Sequence, residues 1–253
     1  MNQLEDLSKI HSLYKDWDES MIWSCFQKVM GEAYVDNIEN PRSAIVSVNC
    51  FAFSAGKPDA SLVRDWYEEK VTGFSIITAR DDSWNRIFAN VGKDRCRRIE
   101  RYAIKKEYGI FDTERLNTFV EQLSDEYELK LINETIYDQC KEYNWSFDFV
   151  SGYDNYDKFR KYGLGVVAFH GEEMVAGASS YASYIGGIEV EIDTKEEYRR
   201  RGLATACGAK LILECLKRGL YPSWDAHNTW SVSLAEKLGY HYSHTYTAYE
   251  IWK

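Results

Sequence analysis

The spacing of hydrophobic and polar positions changes several times along the 253-residue chain. Ile22, Cys25, Phe26, Val29 and Met30 recur at helical spacing, which predicts helix through residues 1 to about 35, with these side chains in a core. Pro41 and its polar neighbours break that pattern. Ala44 to Phe53 is rich in β-branched and aromatic residues and predicts one long strand. Gly56-Lys57-Pro58-Asp59 reads as a turn, with Asp59 or Ser61 capping a helix from Leu62 to about Lys70. A short strand at Phe74 to Thr78, a helix over Asp81 to Asn90 and a strand over Cys96 to Ile104 follow.

In the second half, Glu114 to Leu123 predicts a helix and Leu129 to Ile132 a short strand. Asn133 suits the N-cap of a helix reaching about Tyr143. Asn144 to Tyr162, rich in Asp, Tyr and Phe, has the look of a helix-loop-helix lid. Leu164 to Phe169 and Met174 to Tyr181 form a hairpin across the turn His170 to Glu173, and Tyr184 to Gly187 is a further turn. From Ile188 to Asp193 the alternation is strict: three apolar side chains share one face, and Glu189, Glu191 and Asp193 the other. Gly202 to Arg218 is a helix apolar almost all round, with Lys210, Glu214, Lys217 and Arg218 as its polar stripe, so it must be buried against a sheet. Gly219 fits its C-cap. Tyr221 to Ala226 returns as a strand, Thr229 to Leu238 as a helix ended by Gly239, and Tyr240 to Trp252 as two closing strands.

This order predicts an α/β fold with a mixed, largely antiparallel twisted sheet flanked by helices. Two parts are expected: an N-terminal α/β lobe over residues 1–125 and a C-terminal domain over 126–253. A hydrophobic share of 45% suits a proper core. The net charge of −9 disfavours a nucleic-acid partner. The basic cluster Arg95, Arg97, Arg98, Arg101, Lys105 and Lys106 reads as a solvated strand edge. No apolar run is long enough to span a bilayer, and the first residues lack the basic and apolar regions of a signal peptide, so a cytoplasmic protein without a membrane partner is expected. Six cysteines without a Cys-x-x-Cys pair read as reduced core residues, and five histidines show no metal spacing, so no metal is expected.

The chemistry concentrates in Tyr198-Arg199-Arg200-Arg201-Gly202-Leu203-Ala204-Thr205, between the alternating strand and the apolar helix. A phosphate placed there would meet a turn rich in backbone N–H groups, the positive end of a helix and three arginines. Gly202 and Ala204 would let it approach the backbone closely. Arg199-x-x-Gly202-x-Ala204 resembles the acyl-CoA signature of the GCN5-related N-acetyltransferases (GNAT). Asn228-x-x-Ser231 followed by Glu236-Lys237-Leu238-Gly239-Tyr240 resembles the family's second signature. The two stand in the right order with the right elements between them.

The resemblance implies a GNAT-like domain that binds acetyl-CoA as co-substrate and moves its acetyl group to a primary amine. It implies that the backbone around Ile192, Asp193 and Thr194 pairs with the pantetheine arm, that Arg199 to Thr205 hold the pyrophosphate, and that Asn228 and Ser231 touch the arm. A carboxylate on the alternating strand, Glu191 or Glu189, would be the base; Glu191 is taken first because it is nearer the pyrophosphate cradle of Arg199 to Thr205. The region Asn144 to Tyr162 would flank the acceptor, with the N-terminal lobe covering that side. The carboxylates and the acidic chain suit a small cationic amine as partner; a homodimer is compatible with all this. One position departs from the pattern: Ala235 stands where many members carry a tyrosine general acid, a role Tyr240 or Tyr242 would have to fill. That departure keeps open a non-catalytic acyl-CoA-binding or sensing protein. A tandem fold for aminoacyl or peptidyl transfer would need a second cradle in residues 1–120, and the sequence shows none.

Overall fold

Asp59, Asp112, Asn133 and Asn228 each start a helix by accepting hydrogen bonds from its first-turn amides. These local signals fix where elements begin. The computed structural model describes residues 1–253. It is a mixed α/β structure whose strands pair mostly antiparallel, and it divides into two compact units, Met1–Arg101 with Thr245–Lys253, and Tyr102–His244.

The first unit contains β1 (Asn2–Gln3), α1 (Ser20–Phe26), β2 (Glu32–Val35), β3 (Ser43–Val48), β4 (Phe51–Gly56), α2 (Ala60–Lys70), β5 (Phe74–Ala79), α3 (Asn85–Val91) and the first part of β6 (Cys96–Ile104). β1 to β4 pair antiparallel in sequence order, β4 and β5 are parallel, and Ala248–Trp252 from the end of the chain pairs antiparallel with β5. Trp66, Trp84, Phe88 and Ile251 fill the core of this unit.

Three expectations for these segments are corrected. Residues 1–35 are not one helix: only Ser20–Phe26 is α-helical, after a single 3-10 turn at Leu7–Ile10, and the stretch begins and ends in strands. Gly31, at φ 86°, turns the chain into β2, where a Cβ would lie 2.5 Å from the Ser47 carbonyl. The run Ala44 to Phe53 is a tight hairpin, Val48 facing Phe51 across it, because Asn49 adopts φ 52°. The segment Tyr240 to Trp252 is one strand, β13 (Tyr242–Trp252), not two. The basic cluster is partly structural: Arg97 bonds and ion-pairs with Glu250, and buried Arg101 lies over the Phe51 ring.

The second unit contains the rest of β6, α4 (Thr113–Glu121), β7 (Tyr127–Leu131), α5 (Glu134–Glu142), α6 (Tyr156–Tyr162), β8 (Gly165–His170), β9 (Glu173–Tyr184), β10 (Gly187–Thr194), α7 (Leu203–Lys217), β11 (Tyr221–Ser223), β12 (Asp225–Ala226) and α8 (Thr229–Leu238). Its five-stranded sheet runs β7-β8-β9-β10-β11, antiparallel except for the last pair. The apolar α7 lies on it, with Cys207, Ala209, Leu211 and Ile212 buried among Val166, Ala168, Ala176 and Ile188. Lys210, Lys217 and Arg218 on the outer stripe all pair with Glu214.

Candidate active site

β10 and β11 run side by side for only three residues: Gly187, Ile188 and Glu189 face Tyr221, Pro222 and Ser223. After Ser223 the chain turns at Trp224, and Asp225 and Ala226 pair instead with Ala103 and Tyr102 of β6. The single strand expected over Tyr221 to Ala226 is thus two short ones that serve different neighbours. A fork opens between β10 and β11 just beyond Glu189 and Ser223. On the other side of β10, Val190 faces Ser180 and Glu189 faces Ala182, so Tyr181 is an extra residue on β9. Such a bulge bends a strand and sharpens its twist, here at the level of the fork.

The alternation along β10 sorts its side chains. A Cβ on Gly208 of α7 would lie 3.1 Å from Ile192 Cδ1, so the apolar face meets the helix. Glu189, Glu191 and Asp193 project from the opposite face. There, Ser179, the register partner of Glu191, donates its hydroxyl to the Phe149 carbonyl at 2.6 Å. Tyr153 also reaches β9, donating to Oγ of Ser180, the register partner of Val190, at 2.7 Å. The segment Asn144 to Tyr162, one 3-10 turn and α6, is therefore tied to the carboxylate-bearing face of the sheet. Glu189 is 5% exposed, whereas Glu191 and Asp193 are half-buried. Burial raises the Asp193 carboxyl above its ordinary pKa, against the opposing effects of the Thr194 N–H bond and Arg199.

β10 leads into the basic turn. Arg200 and Gly202 both take left-handed backbone, φ 66° and 84°. Gly202 is the N-cap of α7, and no side chain caps that end. The bond from Ala206 N to Gly202 O, 3.0 Å, begins the helix, so the amides of Leu203, Ala204 and Thr205 precede its ladder and point out of its positive end. A Cβ at Gly202 would meet nothing within 4 Å, so open space lies in front of the turn. The three arginines differ. Arg199 Nε donates to the Thr194 carbonyl at 3.3 Å. Arg201 donates to Tyr127 Oη at 3.2 Å and to the Glu197 carbonyl at 3.0 Å, and lies over the Tyr198 ring. All three are exposed, but Arg199 and Arg201 brace the loop through these bonds.

The second signature is held together by capping. Asn228 Oδ1 accepts from Ser231 N at 2.9 Å, and Ser231 Oγ accepts from Trp224 Nε1 at 3.1 Å. Trp224, the residue at which β11 leaves β10, carries no signal of its own in the sequence because it sits inside a strand-like run. Lys237 belongs to the second signature, but its contact is visible only in three dimensions: its ammonium donates to Thr205 Oγ1 at 3.2 Å, which ties α8 to the first turn of α7. Ala235 is fully buried. Tyr240, also buried, donates its hydroxyl to the Pro222 carbonyl at 2.7 Å, and burial holds its pKa well above the usual phenol value. Tyr242 is 38% exposed. No group of three or more His, Cys, Asp or Glu is placed to hold a metal ion, and no helix is long and apolar enough to cross a membrane.

Comparison with known proteins agrees with this arrangement. A family model described as GNAT acetyltransferase matches residues 11–249. A curated relative from Bacillus subtilis (strain 168), the uncharacterized N-acetyltransferase YdfB, is 26% identical over 98% of this chain and 99% of its own. A crystal structure of a GCN5-related N-acetyltransferase-like protein from Streptococcus suis 89/1591 is 41% identical, with a TM-score of 0.91 over 98% of both chains. A GCN5-related N-acetyltransferase from Kribbella flavida shares the fold at 14% identity, with a TM-score of 0.52 over 84% of this chain and 86% of its own. With fork, cradle and both signatures in one unit, and the family matched over nearly the whole length, the chain belongs to the GNAT acetyltransferase family.

Proposed function

We propose that the protein transfers an acetyl group from acetyl-CoA to the primary amine of a small, cationic acceptor. The fork between β10 and β11, leading to the uncapped N-terminus of α7, carries this reading. The open space at Gly202 fits a pyrophosphate resting on the amides of Leu203, Ala204 and Thr205, with Arg200 adding charge. Arg199 and Arg201 shape the turn. The pantetheine arm would run along Ile192, Asp193 and Thr194, with Asn228 and Ser231 on its far side.

The acceptor would approach from the face that carries Glu189 and Glu191. An ammonium must lose its proton before it attacks, and a carboxylate at the fork can take it, directly or through water. Glu189, the last residue of the parallel ladder, lies nearest the point where the strands part, which favours it as base. Glu191, half-buried one pleat nearer the cradle, would draw a cationic group toward the site. Tyr240 is committed as donor to the Pro222 carbonyl, which takes it out of the role of acid; a thiolate can also leave unassisted. A simple thiol's pKa of about 8.5 makes that tolerable.

The buried Ala235 supports one second reading, an acyl-CoA-binding protein without turnover. Calorimetric titration with acetyl-CoA, followed by thiol release in the presence of a panel of amines, tests both. Micromolar binding and amine-dependent release support the transferase. Binding without release for any amine supports the second reading. No binding at millimolar acetyl-CoA overturns both.

A further inference from the structure

The first unit holds an open surface pocket of about 510 Å³ that none of the cofactor or carboxylate residues lines. That size falls within the range of small-molecule sites, roughly 300–1,000 Å³. It lies between the turn preceding α1 and α1 itself. Its floor is Tyr14 and Ile22, both buried. Tyr14 is fixed there: its hydroxyl donates to the Phe53 carbonyl at 2.8 Å and accepts from Val46 N at 3.0 Å. The walls are Trp17, Trp23 and Phe26, each half-buried. Tyr14 stacks on Trp17 at 5.9 Å and meets Phe26 edge-on at 5.5 Å, so the rings form one connected lining.

The mouth carries Asp16 and Asp18, both exposed, beside His11 and Gln27. No lysine or arginine lines the cavity. Asp16 holds a left-handed backbone, φ 60°, which aspartate adopts more readily than most residues other than glycine. Aromatic faces are negative and attract cations, and carboxylates at an aromatic mouth add to the same preference. The two aspartates disfavour an anion here, and a neutral ligand would gain nothing from their charge.

From this lining we infer that the cavity binds a small organic cation of the alkylammonium or quaternary ammonium class. The onium group sits between Trp17 and Trp23 with Asp16 at the rim. This inference does not rest on acetyl transfer and stands or falls separately from it.

The test is calorimetric titration of the whole chain with choline chloride, at ionic strength held constant with sodium chloride. The neutral isostere 3,3-dimethyl-1-butanol is the control. Saturable binding of choline is expected, with the alcohol weaker by about 3- to 30-fold, the range that cation–π attraction supplies. Asp16→Asn removes the rim charge at a position whose left-handed backbone asparagine tolerates well, and should weaken choline but not the alcohol. Trp23→Leu, checked for folding by circular dichroism, should weaken choline further. No saturable choline binding overturns the inference. Equal affinity for the alcohol, or an Asp16→Asn variant that binds choline like the parent, overturns it too.

Discussion

Glu189 and Ser223 are the last pair in register between β10 and β11, and the two strands separate immediately beyond them. The buried carboxylate therefore stands at the apex of the fork. On the proposed mechanism, Glu189→Gln should lower kcat by about a hundredfold or more, as loss of a general base does. The KM for acetyl-CoA should stay near that of the parent. Glu191→Gln should mainly raise the KM of the amine. Steady-state kinetics with a responsive amine separates the two, and reversed effects would exchange their roles.

Arg200 combines a left-handed backbone with an exposed, uncommitted position in the cradle. Asparagine adopts that backbone more readily than arginine does. Arg200→Asn should raise the melting temperature slightly while weakening acetyl-CoA about tenfold, since it removes a charge-assisted phosphate contact. Thermal denaturation and calorimetry on one preparation would show the two quantities moving in opposite directions. If affinity is unchanged, the phosphates do not reach Arg200.

Glu214 anchors the outer stripe of α7 among Lys210, Lys217 and Arg218. Burial alone would raise its pKa, but the hydrogen bonds and charges of Lys217 and Arg218 outweigh this and bring it down to about 2. A carboxylate depressed in the folded state stabilises above its unfolded pKa, near 4.5, and that stability is lost as pH falls toward 2. The shift corresponds to at most about 3 kcal/mol. Denaturant titrations of the parent and Glu214→Gln should differ at pH 7 and converge between pH 4.5 and 2. A difference that persists at pH 2 would mean that the glutamine disturbs packing instead.

The six cysteines form no disulfide. Burial pushes the Cys25, Cys140, Cys207 and Cys215 thiols up to about 12. They hold little thiolate at pH 8 and should resist an aromatic disulfide reagent in the folded protein. Half-buried Cys50 is expected to react promptly; Cys96, its thiol also raised by burial and bonded to the Phe88 carbonyl at 3.3 Å, should react more slowly, and all six should react in denaturant. Prompt reaction of the two α7 cysteines would show that this helix opens in the native state.

Signals that act over a few residues are legible in the sequence. The glycine of the cradle, the Asn228-x-x-Ser231 signature and the apolar helix between them are local, and the α/β fold with its family follows from them. The hairpin at Asn49 is hidden because the apolar run continues across a two-residue turn that lacks glycine. The N-terminal strands are hidden because Ala33, Tyr34 and Val35 are all buried, which erases a period of two. The fork is out of reach for another reason. It depends on Asp225 and Ala226 leaving β11 to pair with Tyr102 and Ala103, a contact distant in sequence, and Trp224 marks the departure without advertising it. The bulge at Tyr181 is likewise a fact of register, not of composition.

The chain leaves the first unit within β6 and re-enters it within β13, so Thr245–Lys253 completes a sheet begun far upstream. Thr78 Oγ1 donates to the Thr247 carbonyl, and Tyr67 donates to that of Trp252. During synthesis, β5 must wait for that partner while the whole of Tyr102–His244 is made. At ordinary elongation rates of about 5–20 residues per second, the delay is roughly 10–30 s. Over that time Ile76 and Ile77 lie on a bare strand edge, the kind that pairs with other chains. The second unit, contiguous in sequence, can fold in the meantime. The second unit can therefore close before the first, although the first begins to emerge earlier.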